Sequence, residues 1–559
     1  MKNREFYKSK GLENYLKKNY EKSLLNYKKY LKYKTQDLES LFNVARIYTF
    51  TKKYQLAIDY YNKCLSEFSK NKNVLVNISS IYIKLNEYDK ALDYLKRIDK
   101  NEHNDHIVQY NFGLCYERKN NYEESIKYYK SAINLNNNFL DALNNCGNCL
   151  ANLGRYQEAI SNYNKVLNFD KNNITALLNL GSSYTDLELY DKAIITYDKI
   201  IQINPNFSFA YSNKANALSA LRNYDEAIKA SEIAIKHDPK NSNFKLNKAI
   251  ILLKDGKYIK GFESYENRLS DKQIDKTIPF LDNVNHQNKK NIFLWSEQGV
   301  GDQILYSKYL HDISKNFNIY LNLDKRIKPI IKRTYNNINF YDETSDFDKK
   351  KFDYQLSLSS LPKFFVKNSD DLILRKNILL KINTDLKQEI VKRNRLKEKR
   401  FICGLSWKTS VKNIRHKKSL KLLDLLKTFG NKKTLYVNLQ YGDVESEIND
   451  CRKNGFEILN DKSIDNFKDI DHLYSLIDCC NCVISTSNSN AHFSGSIGKK
   501  TYLLLPYDFY WYWRSDKNNE NYWYQNMTVF KKNNPEDEWK NLFIELKKKM
   551  LDDFRYEQN

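Results

Sequence analysis

A tyrosine recurs every 34 residues through the first half of the chain: Tyr20, Tyr54, Tyr88, Tyr122, Tyr156, Tyr190, Tyr224 and Tyr258. Three residues after each stands a small residue: Ser23, Ala57, Ala91, Ser125, Ala159, Ala193, Ala227 and Gly261. Nine residues before each stands another: Gly11, Ala45, Ser79, Gly113, Gly147, Gly181, Ala215 and Ala249. A period of this length with no slip leaves few folds open. Each unit is one supersecondary element that cannot bury its apolar face alone, so the units must stack. Pro205 and Pro239 close two of the units where a helix has to end. The expectation is eight repeats over residues 4–275.

This pattern resembles the tetratricopeptide repeat, which implies two antiparallel helices per unit and a right-handed superhelical α-solenoid. One further column is not required by packing. Two residues before the first small position stand Asn43, Asn77, Asn111, Asn145, Asn179, Asn213 and Asn247, and only Ser9 breaks the series. Asparagine is a mediocre residue for a helix interior. Its amide can pair with a peptide N–H and C=O together. Two readings stay open: a groove for an extended polypeptide, or a structural hydrogen bond between helices. The ladder resembles the one in the eukaryotic O-linked N-acetylglucosamine transferase, and that likeness implies peptide binding.

The chain is 559 residues long, enough for two to four domains. Hydrophobic residues make up 41%, which excludes wholesale disorder. The formal net charge of +24 invites a nucleic-acid reading. Lysine dominates the cations, however, and 70 asparagines accompany it. That is the signature of an AT-rich coding bias rather than of a phosphate-reading surface, which favours the arginine fork. Nine cysteines, an odd number, fit a reducing compartment. Cys146 and Cys149, and Cys479, Cys480 and Cys482, lack a second pair at zinc-site spacing and read as small buried residues. The segment MKNREFYKSK has no apolar core of a signal peptide, and no stretch is long and apolar enough to span a membrane. These features lead to the expectation of a cytoplasmic protein with no membrane span and no nucleic-acid partner.

The period stops after the eighth repeat. Residues 276–290 read as a polar linker. From Asn291 apolar runs of strand length alternate with helical patterns: NIFLWS, NIYLNL, NINFY and YQLSLS, then FICGLSW, TLYVNLQ, FEILN, CVIST and TYLLLP. Such alternation predicts parallel sheets with helices on both faces. A charged run at residues 385–400 divides them into two lobes, 291–390 and 400–550.

Three strand-end segments carry candidate chemistry, because ligands of such sheets bind at the carboxyl ends of strands. The first is Glu297-Gln298-Gly299-Val300-Gly301-Asp302. The second is Trp407-Lys408-Thr409-Ser410, followed by Arg415. The third is Ser487-Asn488-Ser489-Asn490-Ala491-His492, leading to Gly495 and Gly498. Glycines allow close backbone approach, and helix N-termini favour anions. Together with Leu439-Gln440, Leu504-Leu505-Pro506, Trp513-Arg514 and Tyr522-Trp523-Tyr524, this ordered set resembles the family-9 (heptosyltransferase-like) glycosyltransferases fused behind tetratricopeptide repeats. The resemblance covers about residues 261–531 and includes Gly261, Phe262, Tyr265, Glu266 and Arg268 at the junction.

The resemblance implies a GT-B fold of two Rossmann-like lobes and a metal-independent, inverting transferase that uses a nucleotide-diphosphate sugar as co-substrate, without a cofactor. It implies Asp302 as catalytic base, with Glu297 as a second candidate. Gly299, Gly301, Lys408, Ser410, Arg415, Gln440, Ser487, Asn488, His492 and Arg514 would bind the donor. Each has a plain structural alternative: a helix cap for Asp302, a solvated loop for the cations, a packing role for His492. Ser487 stands where the family has Asp, and Asn488 where it has Thr. The repeats would recruit a polypeptide or glycan acceptor or a protein partner. The rival reading is a non-enzymatic peptide-binding scaffold with a degenerate transferase domain. Asp346-Phe347-Asp348 and Asp469-Ile470-Asp471 match a DxD metal motif in letters, as acidic loops often do.

Overall fold

The computed structural model describes residues 2–270, 277–285, 288–341, 348–398, 401–409 and 419–554. The chain forms two compact units, Met1–Ser183 and Tyr184–Asn559.

The repeat column locates the second helix of every pair. These helices are Tyr20–Leu31, Tyr54–Glu67, Tyr88–Lys96, Tyr122–Leu135, Tyr156–Phe169, Tyr190–Ile203, Tyr224–His237 and Tyr258–Tyr265. Each therefore starts on its column tyrosine. The first helices, from Lys2–Leu16 to Ser242–Asp255, precede them. The small residues at Ala45, Ala57, Ala91, Ala159, Ala193, Ala215, Ala227 and Ala249 are fully buried. A second tyrosine column explains why the other column prefers glycine. Tyr27, Tyr129 and Tyr163 lie seven residues into their second helices and are fully buried. A Cβ at Gly11, Gly113 or Gly147 would stand 2.9, 2.6 or 2.5 Å from the facing ring. The ring packs directly on the neighbouring helix backbone, which only glycine permits.

A third 34-residue column is conformational. Lys18, Lys52, Asn86, Asn120, Gly154, Glu188, Arg222 and Gly256 all turn between the paired helices at positive φ, from 57° to 84°. Asparagine and glycine suit that left-handed region; lysine, glutamate and arginine sit there at a cost. The turn geometry is thus imposed by helix pairing on whatever residue arrives at it.

The second unit holds the last repeat helices and two parallel sheets. The first sheet contains β1 (Lys290–Trp295), β2 (Phe317–Leu321), β3 (Asn339–Phe340) and β4 (Tyr354–Ser357), in the order β3-β2-β1-β4. The second contains β5 (Ile402–Ser406), β6 (Leu435–Asn438), β7 (Glu457–Leu459), β8 (Cys482–Thr486), β9 (Thr501–Leu505) and β10 (Met527–Lys531). Its order is β10-β9-β8-β5-β6-β7, and every pairing in both sheets is parallel. Counted along the second sheet's own sequence, this is the doubly wound order 3-2-1-4-5-6. Each sheet reverses strand order once, between β1 and β4 and between β5 and β8. Ligand crevices of open α/β sheets form at such switch points.

Strands β5, β8 and β9 are buried at every residue, as parallel strands covered on both faces must be. Cys403 and Cys482 face each other there with sulfurs 3.7 Å apart, and Cys146, Cys149 and Cys480 are buried too. The segment expected as a linker is partly built into the first sheet. Gln355 donates its backbone N–H to Pro279 O at 2.8 Å and accepts from Leu281 N at 3.1 Å. Ile278 and Leu281 are buried against the sheet, so apolar residues at two positions outweigh the polar composition of the rest. The charged run expected between the lobes forms the Thr384–Arg393 helix, which buries only Ile390. β10 and the Trp539–Phe554 helix complete the second lobe. No helix among the described residues is long and apolar enough to cross a membrane.

Candidate functional site

The carboxyl ends of β1 and β4 are held together by one arginine. Arg268, in the short helical turn Glu266–Leu269 after the last repeat, has a side chain only 4% exposed. Its Nε donates to Glu297 Oε1 at 2.8 Å, and Nη1 donates to Glu266 Oε1 at 2.6 Å and Tyr265 O at 3.0 Å. Nη2 reaches Ser359 Oγ and Ser360 Oγ, both at 2.7 Å. Ser359 donates to Glu297 at 2.5 Å, and Ser357 donates a short bond to its other oxygen. The Arg268 charge and the two hydroxyls hold the Glu297 carboxyl below its ordinary range against the effect of its own burial. A carboxylate so occupied is a poor proton acceptor.

Asp302 is in the opposite situation. It stands in the first turn of the Val300–Ser307 helix. Burial in the first place, and the Glu297 charge in the second, push its carboxyl up to about 6. It lines a cavity of about 290 Å3 together with Gln298, Gly299, Gly301, Thr409, Ser487, Asn488, Ser489 and His492. Tyr265, Tyr510, Trp511, Tyr512 and Trp513 form its aromatic wall. The cavity therefore receives residues that follow β1, β5 and β8, and its wall includes a tyrosine from the last repeat helix.

Gly301 and His492 bring the two lobes into contact. A Cβ at Gly301 would lie 2.8 Å from His492 Cδ2. Glycine at this position lets the Val300–Ser307 helix approach the Ser489–Ser496 helix closely. His492 is 4% exposed, packs on Trp513 with ring centroids 4.4 Å apart, and shares a 2.8 Å hydrogen bond between Nδ1 and the Tyr524 hydroxyl. Burial, then the Lys308 charge, lowers it to about 3, so the ring is neutral at physiological pH. It can offer a neutral hydrogen bond but no charge.

Asn488 caps the Ser489–Ser496 helix, accepting from Asn490 N at 3.0 Å, and ties β8 to β5 by donating to Ser406 Oγ at 2.9 Å and Lys408 O at 3.1 Å. Asn488 is thus the N-cap of this helix. Ser487 instead accepts the Trp513 indole N–H at 2.8 Å. Gln440 is 3% exposed, and its amide oxygen accepts from Ser406 Oγ at 3.2 Å and Lys408 N at 2.9 Å. It braces the ends of β5 and β6 and does not line the cavity.

The expected cations are distributed differently. Lys408 forms an ion pair with Glu447 at 2.6 Å, and Glu447 also accepts the Trp407 indole at 2.8 Å. Arg514 is not among the residues lining the Asp302 cavity; it faces Tyr258 and Gly256 of the last repeat and lines a separate cavity. The backbone turns at the Trp511–Trp513 helical turn, so adjacent residues point into different cavities. Ser410 and Arg415 lie outside the described residues, as do Asp346 and Phe347 of the first DxD match. In the second match, Asp469 caps the Ile470–Asp478 helix and Asp471 pairs with Arg333, so both are structural. Among the described residues no lysine or arginine lines the Asp302 cavity. The roles of Arg268, Tyr265 and the serines after β4 were beyond site reasoning from sequence. Their only signal was the junction motif Tyr265-Glu266-Asn267-Arg268.

The asparagine column makes bonds between neighbouring repeats. Asn43 donates to the Tyr27 hydroxyl at 3.1 Å, Asn111 to Ser80 at 3.2 Å, Asn145 to the Tyr110 hydroxyl at 3.0 Å and Asn247 to Ser212 at 3.2 Å. Asn43 and Asn111 are buried, whereas Asn77, Asn145, Asn179, Asn213 and Asn247 are partly exposed.

Tetratricopeptide-repeat models match residues 51–110, 107–139, 174–207 and 196–229, and a TPR-repeat model matches residues 147–187. A curated relative, Protein FlbA of Caulobacter vibrioides, is 25% identical over 292 residues, 46% of this chain and 47% of that protein. The match thus spans about half the length of that relative. Among solved structures, YrrB, a TPR protein with an unusual peptide-binding site, is 24% identical, with a TM-score of 0.30, over 33% of this chain and 95% of its own. A tetratricopeptide repeat protein from Parabacteroides merdae is 17% identical, with a TM-score of 0.37, over 45% of this chain and 100% of its own. The repeat models and the helix pairs agree: the stretch from Lys2 to Tyr265 is an array of tetratricopeptide repeats.

Proposed function

We propose that the second half of the chain is a GT-B glycosyltransferase of the inverting, metal-independent kind, using a nucleotide-diphosphate sugar, and that the repeats present a polypeptide acceptor or partner. One observation carries this reading. At the crevice where the strand ends of two doubly wound sheets meet, Asp302 is lifted to about 6 while Glu297 beside it is held ionised. Two carboxyls pushed apart in this way assign the proton acceptor to one and the fixed charge to the other.

In the proposed reaction Asp302 takes the proton of an acceptor hydroxyl as its oxygen forms a bond to the sugar's anomeric carbon. The bond from that carbon to the diphosphate oxygen breaks, and the nucleoside diphosphate leaves with the electron pair. The N-terminus of the Ser489–Ser496 helix would face the departing charge. His492 would contribute a neutral hydrogen bond. The aromatic wall would exclude water around the sugar. Supporting the acceptor role of the repeats, three ladder asparagines have one amide N–H engaged with the preceding repeat's first helix, which leaves their carbonyl oxygens to accept from a peptide.

A second reading is a peptide-binding scaffold with an inactive transferase domain. It is favoured by Ser487, engaged by Trp513 in place of the family carboxylate, and by Lys408, already neutralised by Glu447. A thermal-shift screen with UDP-, GDP-, ADP- and CDP-sugars separates the two, since a ligand of the native state must raise the melting temperature. A donor-dependent rise with sugar transfer that Asp302→Asn abolishes supports the transferase. No shift with any donor supports the scaffold.

A further inference from the structure

A cavity of about 240 Å3 distinct from the Asp302 crevice lies between the turns of the last two repeats and the segments after β9 and in β10. Arg222 and Lys254 come from the repeats; Arg514 and Lys531 come from the second lobe. Against these four cations stands one lining carboxylate, Asp508, which is taken by Lys254 in a short ion pair. Among the described residues no ion pair joins Arg222, Arg514 or Lys531 to an acid. Arg222 lies over the Tyr507 ring at 4.9 Å. Lys531 is held below its ordinary range by burial first, then by the charges of Arg222 and Arg514. Like charges gathered in a partly closed space repel one another unless a counter-charge joins them.

Two donors on residues that line the cavity lack a partner. Arg514 Nη1 and Ser515 Oγ are shut off from solvent and have no hydrogen-bond partner among the described residues. Native interiors rarely leave such donors unmade, and an unoccupied ligand site is one standard reason for the exception. The guanidinium is deliberately accommodated: a Cβ at Gly256 would lie 2.5 Å from Arg514 Nη1, so the glycine that terminates the last repeat's first helix also makes room for it.

We propose that this cavity binds a small, multiply charged phosphate-type anion, gripped by the Arg514 fork, Arg222 and Lys531, with Ser515 donating a further hydrogen bond. A planar guanidinium matches the oxygens of a phosphate two at a time. The volume lies below the roughly 300–1,000 Å3 typical of drug-sized ligands, which suits a phosphate or diphosphate rather than a protein segment. Because its walls come from the repeats and the second lobe alike, a bound anion would fasten the end of the array to the α/β region.

The test is calorimetric titration of the full chain with inorganic diphosphate at fixed ionic strength, alongside Arg514→Gln, Lys531→Met, Arg222→Gly and Ser487→Asp. Arg222→Gly relieves a positive φ, so it keeps a folded control for charge removal. We expect Arg514→Gln and Lys531→Met to weaken binding at this cavity at least tenfold and Arg222→Gly severalfold, while Ser487→Asp, whose carboxylate repels diphosphate only from the Asp302 cavity, retains this binding event. Lys531→Met should also raise the melting temperature in anion-free buffer, because it removes repulsion, and lose the further rise on adding diphosphate. A nucleoside diphosphate arm identifies the source of the phosphate: competition with diphosphate in Ser487→Asp points to a nucleotide, and none points to the free anion. Equal binding in all four variants and the parent chain, or loss in Ser487→Asp alone, would overturn the assignment.

Discussion

Arg268 Nε donates to Glu297 Oε1 at 2.8 Å, joining the end of the last repeat to the end of β1, with side chains only 4% and 7% exposed. The pair sits at the switch point of the first sheet and sets the electrostatics of the residue five positions later, Asp302. Removing one partner of such a pair strands a buried charge. Arg268→Met is therefore expected to cost about 3–5 kcal/mol, read as a drop in the urea midpoint. Adding Glu297→Leu should recover part of that loss, although Ser357 and Ser359 then lose their acceptor. A double variant no more stable than Arg268→Met would show that the pair is not what holds the strand ends together.

Asp302 ties stability to pH in a definite direction. Its carboxyl sits at about 6 in the fold against an ordinary value of 3.8, so the folded protein binds this proton more tightly than the unfolded chain. The stabilisation is complete below about pH 4 and is lost as pH rises through about 6. Asp302→Asn removes the cost of a buried charge and should stabilise the protein by on the order of 1–3 kcal/mol at pH 8 and little at pH 4. Melting curves at the two values check this. In the proposed transferase the same variant loses turnover, and the acid limb of the parent's pH–rate profile falls near 6. Glu297→Gln should move that limb downward, because it removes the neighbouring charge.

Gly301→Ala probes the contact between lobes. The new Cβ would lie 2.8 Å from a buried, fully packed His492 ring, which cannot swing away without breaking its bond to Tyr524. A loss of about 1–3 kcal/mol is expected, the usual range for overpacking. Pairing it with His492→Ala should restore most of it; strict additivity of the two costs would contradict the geometry.

The turn column offers a stabilising change. Lys52 is exposed and sits at φ 59°, where a lysine is strained. Lys52→Gly should stabilise the array by about 0.5–1 kcal/mol despite the flexibility glycine adds to the unfolded chain. The urea midpoint should rise; a fall would mean that the lysine side chain contributes more than the turn costs.

The asparagine column can be divided by function. Asn145→Ala removes the bond to Tyr110 and should cost about 1 kcal/mol. Mutating Asn145, Asn179 and Asn213 together to alanine and measuring peptide capture tests the groove; undiminished capture would leave the column a purely structural device.

The repeats were legible almost to the residue, because the helix pair is a local structure whose period writes itself into the sequence. Each column tyrosine turned out to open its helix. The ten strands were nearly all foreseen for a similar reason: buried parallel strands are short apolar runs. β10 escaped because MTVFK looks no more apolar than its surroundings. The site was less legible. Asp302 and His492 meet at one cavity, as the ordered motifs implied, but Lys408 and Arg514 do not line it. A motif gives a residue's place in the chain, not which way its side chain leaves the backbone or which acid has already taken its charge. Glu447 and Gly256, which decide the matter for those two cations, lie 39 and 258 positions away from them.

The cavity wall formed by Tyr265 makes the array's two ends unequal. Seven residues after its column tyrosine, Tyr265 holds the place that Tyr27, Tyr129 and Tyr163 hold in their repeats, yet it faces the crevice, and Arg268 follows three residues on. A repeat protein normally tolerates gain or loss of a unit anywhere along its length, because one unit is much like another. Here the eighth unit belongs to two trades at once and cannot be exchanged. Lineages of such a chain could lengthen or shorten only upstream, counting their repeats backward from a fixed last member.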